Sequence, residues 1–161
     1  MQQKFYEEGK SIKLINSSVS GDTTGGGLGR LAKNLKKFNP DFVLIELGGN
    51  DALRGYSINL IKSNLEKMIA LAKQNKSKVL LMQIRIPPNY GQKYTHAFEK
   101  IYVDLAQTEE VYLLPFMLEE IGINSELMQP DGIHPNKKAQ PLIAKEMKKN
   151  IDKFLLFNQS N

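Results

Sequence analysis

The chain has 161 residues, enough for one domain of ordinary size and too few for two. It is 41% hydrophobic and 24% charged, so it can fill a core, and it has no cysteine, which excludes a disulfide scaffold, a thiolate metal site and a cysteine nucleophile. The net charge is +5, but only Arg30, Arg54 and Arg85 are arginines, and the lysines (Lys33, Lys36, Lys37; Lys145, Lys148, Lys149, Lys153) are spread along helical stretches as solvated faces; no nucleic-acid role is expected.

In chain order, Met1–Gly9 reads as the tail of a helix stopped by Gly9. No charged start followed by an apolar run marks an export signal, and no window approaches the roughly 20 apolar residues of a membrane span, so the chain is expected to be soluble. Ile12–Asn16 is a short β-type run. Leu28, Leu31, Ala32, Leu35 and Phe38 share one helical face, ended by Asn39-Pro40. Phe42–Leu47 is apolar almost throughout, which predicts a strand buried on both faces. Ser57 is the expected N-cap of a helix with Ile58, Ile61, Leu65, Met68 and Ala72 inward. Val79–Ile84 is a further strand, stopped by Pro87-Pro88; Tyr94, Phe98, Ile101, Tyr102 and Leu105 form the next helical face; Val111–Pro115 is a fourth strand. The last helix turns Ile143, Met147, Ile151, Phe154 and Leu155 inward, and Pro141 sets its start at Gln140. Such strand–helix alternation predicts a parallel α/β sheet with helices on both faces, in which sites form at the carboxyl ends of strands.

Four loops lie at those ends: Ser17–Gly27, Gly48–Asp51, Arg85–Gly91 and Asp131–Pro135. A carboxylate three residues before a histidine, around a glycine, lets Asp131 reach the imidazole Nδ1 of His134 and leaves Nε2 as a general base. Asn50 offers an amide donor after two glycines, which suits an oxyanion hole, and Gly21 offers an unobstructed backbone N–H. Each of these also reads as ordinary turn chemistry when taken alone. Gly25-Gly26-Gly27 with Gly29 lacks the spacing of a phosphate cradle. Asp22 and Asp51 are close enough in type to share a divalent cation, but local capping is the expected role of both, and with two histidines in all a histidine-only zinc cage is excluded. His96 falls on the exposed side of its helix.

Taken together, Ser20-Gly21-Asp22-Thr23, Glu46-Leu47-Gly48-Gly49-Asn50-Asp51, Leu81-Met82-Gln83-Ile84-Arg85, Pro88-Asn89-Tyr90-Gly91 and Asp131-Gly132-Ile133-His134-Pro135-Asn136 resemble, in order and wording, the blocks of the SGNH (GDSL-type) hydrolases. The resemblance runs from about Lys13 to the final helix. It implies a single domain over residues 1–161 with a three-layer, flavodoxin-like parallel sheet, and hydrolysis of acyl thioesters, aryl esters or lysophospholipids without metal or cofactor. Gly21 and Asn50 would be oxyanion-hole donors, His134 the general base and Asp131 its orienter. The strand-end loops Leu53–Tyr56 and Ile86–Tyr90 would meet the small-molecule acyl substrate, through Leu53, Arg54, Ile86, Pro87 and Tyr90. Close family members are typically periplasmic, which makes export the expectation and the cytoplasm the alternative.

The departure is at the amino terminus. The family's nucleophile is the serine of a Gly-Asp-Ser-Leu block after the first strand, and no Gly-Asp-Ser occurs in these residues. The expectation is an amino-terminally truncated hydrolase domain that lacks its first strand and its nucleophile, inactive in this form. Ser17, Ser18, Ser20, Thr23 and Thr24 lie near the expected site, but none stands in a strand-to-helix elbow. The competing reading is a catalytically dead module of the same fold that binds acyl ligands or a partner.

Overall fold

Three parallel strands, β1 (Phe42–Ile45), β2 (Lys78–Met82) and β3 (Tyr112–Leu114), form a sheet in the order β1-β2-β3. Val43 lies opposite Val79 and Leu81 opposite Leu113, which fixes the register. The structure, a computed structural model, describes Phe5 and residues 11–159, with side chains through residue 156. It divides the chain into two compact units, Ser17–Phe116 and Met1–Asn16 with Met117–Asn161.

The first unit holds the sheet and the helices α1 (Thr24–Phe38), α2 (Gly49–Leu53), α3 (Ile58–Gln74) and α4 (Gln92–Thr108). α3 forms as the spacing predicts. The Ser57 hydroxyl accepts from Leu60 N–H at 3.3 Å, and Ile61, Leu65, Met68, Ile69 and Ala72 are buried. Each of the larger of these side chains contributes about 1.5–3 kcal/mol by leaving water. α3 packs against α1, α4 and β2, and the core that results runs from Leu31 and Leu35 through Ile45, Val79 and Leu81 to Phe98, Ile101, Tyr102 and Leu105. α1 stops where its carboxyl end meets Asn39, whose backbone turns left-handed (φ 42°) and donates to Leu35 O at 2.8 Å.

Three expectations change. Ile12–Asn16 is not a strand; residues 11–19 carry no regular secondary structure. Ile12 and Leu14 are half-buried while Lys13 and Ile15 are exposed, so the alternation that suggested a strand persists as an alternation of exposure. β1 is not buried on both faces, since Phe42 and Leu44 remain 40% and 38% exposed. It stands at the end of the three-strand order, whereas central β2 buries Val79 through Met82 without a break. Gly25-Gly26-Gly27 belongs to α1 rather than to the loop before it, because the Thr23 hydroxyl caps the helix by accepting from Gly26 N–H at 3.2 Å.

The second unit contains α5 (Gln140–Gln159), two short 3-10 turns (Ser125–Leu127 and Lys137–Ala139) and an antiparallel bridge between Met128 and Pro135. α5 starts at Gln140, as Pro141 predicts. Of its expected inward residues Met147 and Phe154 are buried and Ile143, Ile151 and Leu155 half-buried. Lys148 is buried as well, with its ammonium 2.6 Å from Asp152 and 5.6 Å from the ring centre of Phe5. Phe5 is helical and fully buried; the rest of the predicted Met1–Gly9 helix lies outside the described residues. Among the described residues no helix is long and apolar enough to cross a membrane.

Candidate active site

In the first unit, chemistry gathers where α1 and α2 begin. Gly21 sits at φ +73°, a left-handed conformation; a Cβ there would meet nothing within 4 Å, so the requirement for glycine is conformational and not steric. Gly48, at φ +120°, is fixed twice over, since a Cβ would also run into the hydroxyl of Tyr102. That hydroxyl donates to Leu47 O at 2.9 Å, and its ring meets Phe98 edge-on at 5.4 Å. The segment read as a plain Gly-Gly-Asn-Asp turn is the first turn of the short helix α2, and this places Asn50 and Asp51 on a helical framework.

Asn50 donates its side-chain amide to Asp22 O at 3.0 Å, and Arg54 donates from Nη2 to Gly21 O at 3.2 Å. The turn that carries the Gly21 N–H is therefore tied at two points to the helix that carries Asn50. An Asn amide has two N–H donors, so one remains for a ligand oxygen. Asp22 and Asp51 share no cation site. Asp22 accepts from Thr23 N–H at 2.9 Å and pairs with Arg30, whereas Asp51, 1% exposed, accepts from Thr24 N–H at 2.8 Å and from the Thr24 hydroxyl at 2.6 Å. Asn64 in turn donates to Thr24 Oγ1 at 3.0 Å. Among the described residues no group of three or more His, Asp or Glu side chains could hold a metal ion.

The loops expected to meet substrate are placed unevenly. Leu53 and Pro87 are half-buried, and Arg54 and Tyr90 are exposed, Tyr90 ending a 3-10 turn (Pro88–Tyr90). Ile86 is buried in the apolar core, so its expected place in the pocket lining is at most a supporting one. The Tyr94 hydroxyl donates to Tyr56 O at 2.6 Å and ties the Leu53–Tyr56 loop to α4. Burial, and after it the Asp51 charge, push the Tyr94 phenol above its ordinary range; the same two causes, with a smaller effect from Glu46, push Tyr102 well above it.

In the second unit the Asp131–His134 turn is closed by its own side chains. Asp131 Oδ1 accepts from Ile133 N–H at 2.9 Å and His134 N–H at 3.0 Å, while Oδ2 lies 2.8 Å from His134 Nδ1. A carboxylate has only acceptors to offer, so Nδ1 carries the hydrogen and Nε2 is left with a lone pair. These bonds, the backbone N–H of His134 first and its ring second, lower the Asp131 carboxyl from 3.8 to about 2. Gly132 takes φ +67° at the apex, and Gln129 N–H donates to His134 O at 2.7 Å across the base of the turn. Asn136 holds the flank by donating to Glu126 O at 2.7 Å and Met128 O at 3.1 Å. The ring stays in solvent, with its side chain 66% exposed. His96 is exposed, as its position in the helix implies.

The sequence did not reveal the Thr24–Asp51–Asn64 cluster. Its one signal is Asn64, a polar residue on the apolar stripe of α3 beside Ile61, Leu65 and Met68, where an amide is retained only if something buried needs it.

Amide donors beside the starts of helices and an imidazole held by a carboxylate are the equipment of acyl transfer to water. Comparison with known proteins narrows that class. The family model of the GDSL-like lipases and acylhydrolases matches residues 2–141, and the chain belongs to this family, a family of hydrolases. It is 49% identical over 151 residues to an arylesterase of Vibrio mimicus, covering 94% of this chain and 76% of that protein. It is 47% identical over 138 residues to thioesterase 1/protease 1/lysophospholipase L1 of Escherichia coli, covering 86% of this chain and 66% of that one, just under two thirds. Among solved structures, the psychrotrophic esterase EstA from Pseudoalteromonas sp. superposes with a TM-score of 0.93 at 42% identity, over 96% of this chain and 84% of that one. The α/β fold with its parallel sheet is thus that of the SGNH hydrolases.

Proposed function

We propose that the chain supplies the base and the oxyanion donors of a carboxylic ester and thioester hydrolase that works by a Ser-His-Asp mechanism on aryl esters, acyl thioesters or lysophospholipids. The observation that carries this reading is the 2.8 Å contact between Asp131 and His134 Nδ1, which leaves Nε2 free to take a proton. The names and identities of the relatives support the substrate class. The family match from residue 2 to 141 runs through both compact units, which supports a single hydrolase domain over residues 1–161.

In this mechanism a serine hydroxyl passes its proton to His134 Nε2 as its oxygen bonds to the substrate's carbonyl carbon. The carbonyl oxygen takes up the negative charge and is met by the Gly21 N–H and the second Asn50 amide hydrogen, donors worth about 3–4 kcal/mol each in the transition state. His134 returns the proton to the departing alcohol or thiol, and water then repeats the sequence on the acyl-enzyme. Asp131 keeps the imidazole in the required tautomer throughout. Leu53, Arg54, Pro87 and Tyr90 would meet the acyl group, with Ile86 behind them.

The serine is not among these 161 residues. Thr24 is buried against Asp51 and the Thr23 hydroxyl caps α1, so neither replaces it. Ser17, Ser18 and Ser20 lie in a segment without the strand-to-helix elbow that would aim a hydroxyl. We therefore infer that a polypeptide of residues 1–161 alone turns over little or no p-nitrophenyl ester and resists a serine-directed phosphonate. One carrying a Gly-Asp-Ser-Leu strand at its amino terminus should do both. The absent triplet also favours a second reading, a module that binds acyl ligands without hydrolysing them. Tight acyl-ligand binding by both polypeptides, with labelling of neither, would select it.

A further inference from the structure

We propose that Asp51 is a positioning residue that locks the two oxyanion donors to each other through Thr24 and Asn64, an inference that rests on the roles just given to Gly21 and Asn50. Asp51 directly follows Asn50 on α2, yet its side chain turns inward and is 1% exposed. There both carboxylate oxygens are engaged by one residue of another element, Oδ2 with Thr24 N–H at 2.8 Å and Oδ1 with the Thr24 hydroxyl at 2.6 Å. Thr24 is the first residue of the 15-residue helix α1, three residues beyond Gly21. Its N–H is one of the donors that a helix leaves unsatisfied at its start, where a negative charge is also favoured by the helix dipole.

The chain of contacts then continues. Thr24 Oγ1 gives its hydrogen to Asp51 and accepts from Asn64 Nδ2 at 3.0 Å, which ties the pair to α3 in the apolar core. At the surface side of the same junction Asn50 donates to Asp22 O and Arg54 to Gly21 O. The Gly21 turn and the Asn50 helix are therefore pinned at two depths, inside by Asp51–Thr24–Asn64 and outside by Asn50 and Arg54. Of the outer bonds, that of Arg54 is exposed and that of Asn50 only partly buried; the inner ones are dry and charge-assisted. Fixing donors before the charge develops is what makes them effective, and a loss of that order lowers the rate without touching either donor.

The test uses the 15N-labelled chain of residues 1–161 and reads the site without turnover. Solvent exchange of the Asn50 side-chain amide and backbone relaxation of residues 19–24 are compared in wild type, Asp51→Asn, Thr24→Val and Thr24→Ser, with β2 amides (Lys78–Met82) as the internal control. The expected result is Asn50 exchange at least tenfold faster and a mobile 19–24 turn in Asp51→Asn and Thr24→Val, wild-type behaviour in Thr24→Ser, and unchanged β2 amides in all. If Asp51→Asn does not fold, the Thr24→Val and Thr24→Ser pair decides, because Thr24→Val removes the hydroxyl at nearly the same volume while Thr24→Ser keeps it and loses only a methyl. Unaltered Asn50 exchange in folded Asp51→Asn, or Thr24→Ser as loose as Thr24→Val, overturns the proposal. Failure of the hydrolase reading would show instead as absent turnover in the serine-bearing polypeptide while this pattern of exchange persisted.

Discussion

In residues 17–116 the polar groups of the site are held by burial: Asp51 is enclosed, both its oxygens are committed to Thr24, and Asn64 closes the cluster from the apolar face of α3. In residues 117–161 the proposed catalytic pair is held within one turn of chain: Asp131 binds two backbone N–H groups and one ring nitrogen within three residues of itself, all in solvent. The two arrangements suit the two tasks proposed for them, oxyanion stabilisation and general-base catalysis. Oxyanion donors must not move when charge develops, so they are set in a rigid framework. A base that takes and returns a proton has to reorient only slightly, and a local turn preserves its tautomer while leaving Nε2 open. The same contrast separates the effects of mutation: changes in the first region should cost stability, and changes in the second should cost activity alone.

The largest expected effect is on the second side. In a polypeptide that also carries the Gly-Asp-Ser-Leu strand, His134→Ala should lower kcat for p-nitrophenyl ester hydrolysis by about 10⁴-fold or more, with no change in the denaturation midpoint. On the first side, Asp51→Ala leaves the Thr24 N–H and hydroxyl buried without an acceptor and should cost about 3 kcal/mol in chemical denaturation. Gly48→Ala should cost a similar amount, about 3 kcal/mol, because it combines a forbidden φ with a clash against Tyr102. Gly21→Ala meets only the conformational penalty and should cost about 1–2 kcal/mol. A large loss of stability in His134→Ala, or none in Asp51→Ala, would erase the contrast.

The smallest effect is in acid. The Asp131 carboxyl is lowered from 3.8 to about 2, so what its bonds contribute to the turn is present above about pH 4 and is lost as the pH falls from there toward 2. Carbon-13 NMR of the carboxyl should show the low midpoint. His134→Ala should move it only part of the way back toward 3.8, because the backbone N–H groups remain. An Asp131 that titrates at 3.8 in the intact chain would remove the turn from the account.

Much of this was legible in the residues. The helices announced themselves by apolar spacing, by the N-cap at Ser57, by the stop at Asn39-Pro40 and by the start that Pro141 sets at Gln140, and the Asp131–His134 pair was readable because both partners lie within one turn of chain. What depends on contacts between distant segments was not. Ile12–Asn16 alternates in exposure as a strand would, but alternation alone does not make regular secondary structure. Gly25–Gly27 reads as loop by composition, and only the cap at Thr23 with the anchor at Thr24 places these glycines in a helix. Asp51 and Asn64 are 13 residues apart and meet only through Thr24, so no local pattern could join them.

On the proposed mechanism, residues 1–161 supply the base and the oxyanion donors of an ester hydrolase but not its nucleophile. The most direct measurement is p-nitrophenyl ester hydrolysis by this polypeptide beside the one extended with the Gly-Asp-Ser-Leu strand. Little or no turnover is expected for the first and robust turnover, abolished by His134→Ala, for the second. Robust His134-dependent hydrolysis by residues 1–161 alone would contradict it, as would an extended polypeptide that folds and stays inactive.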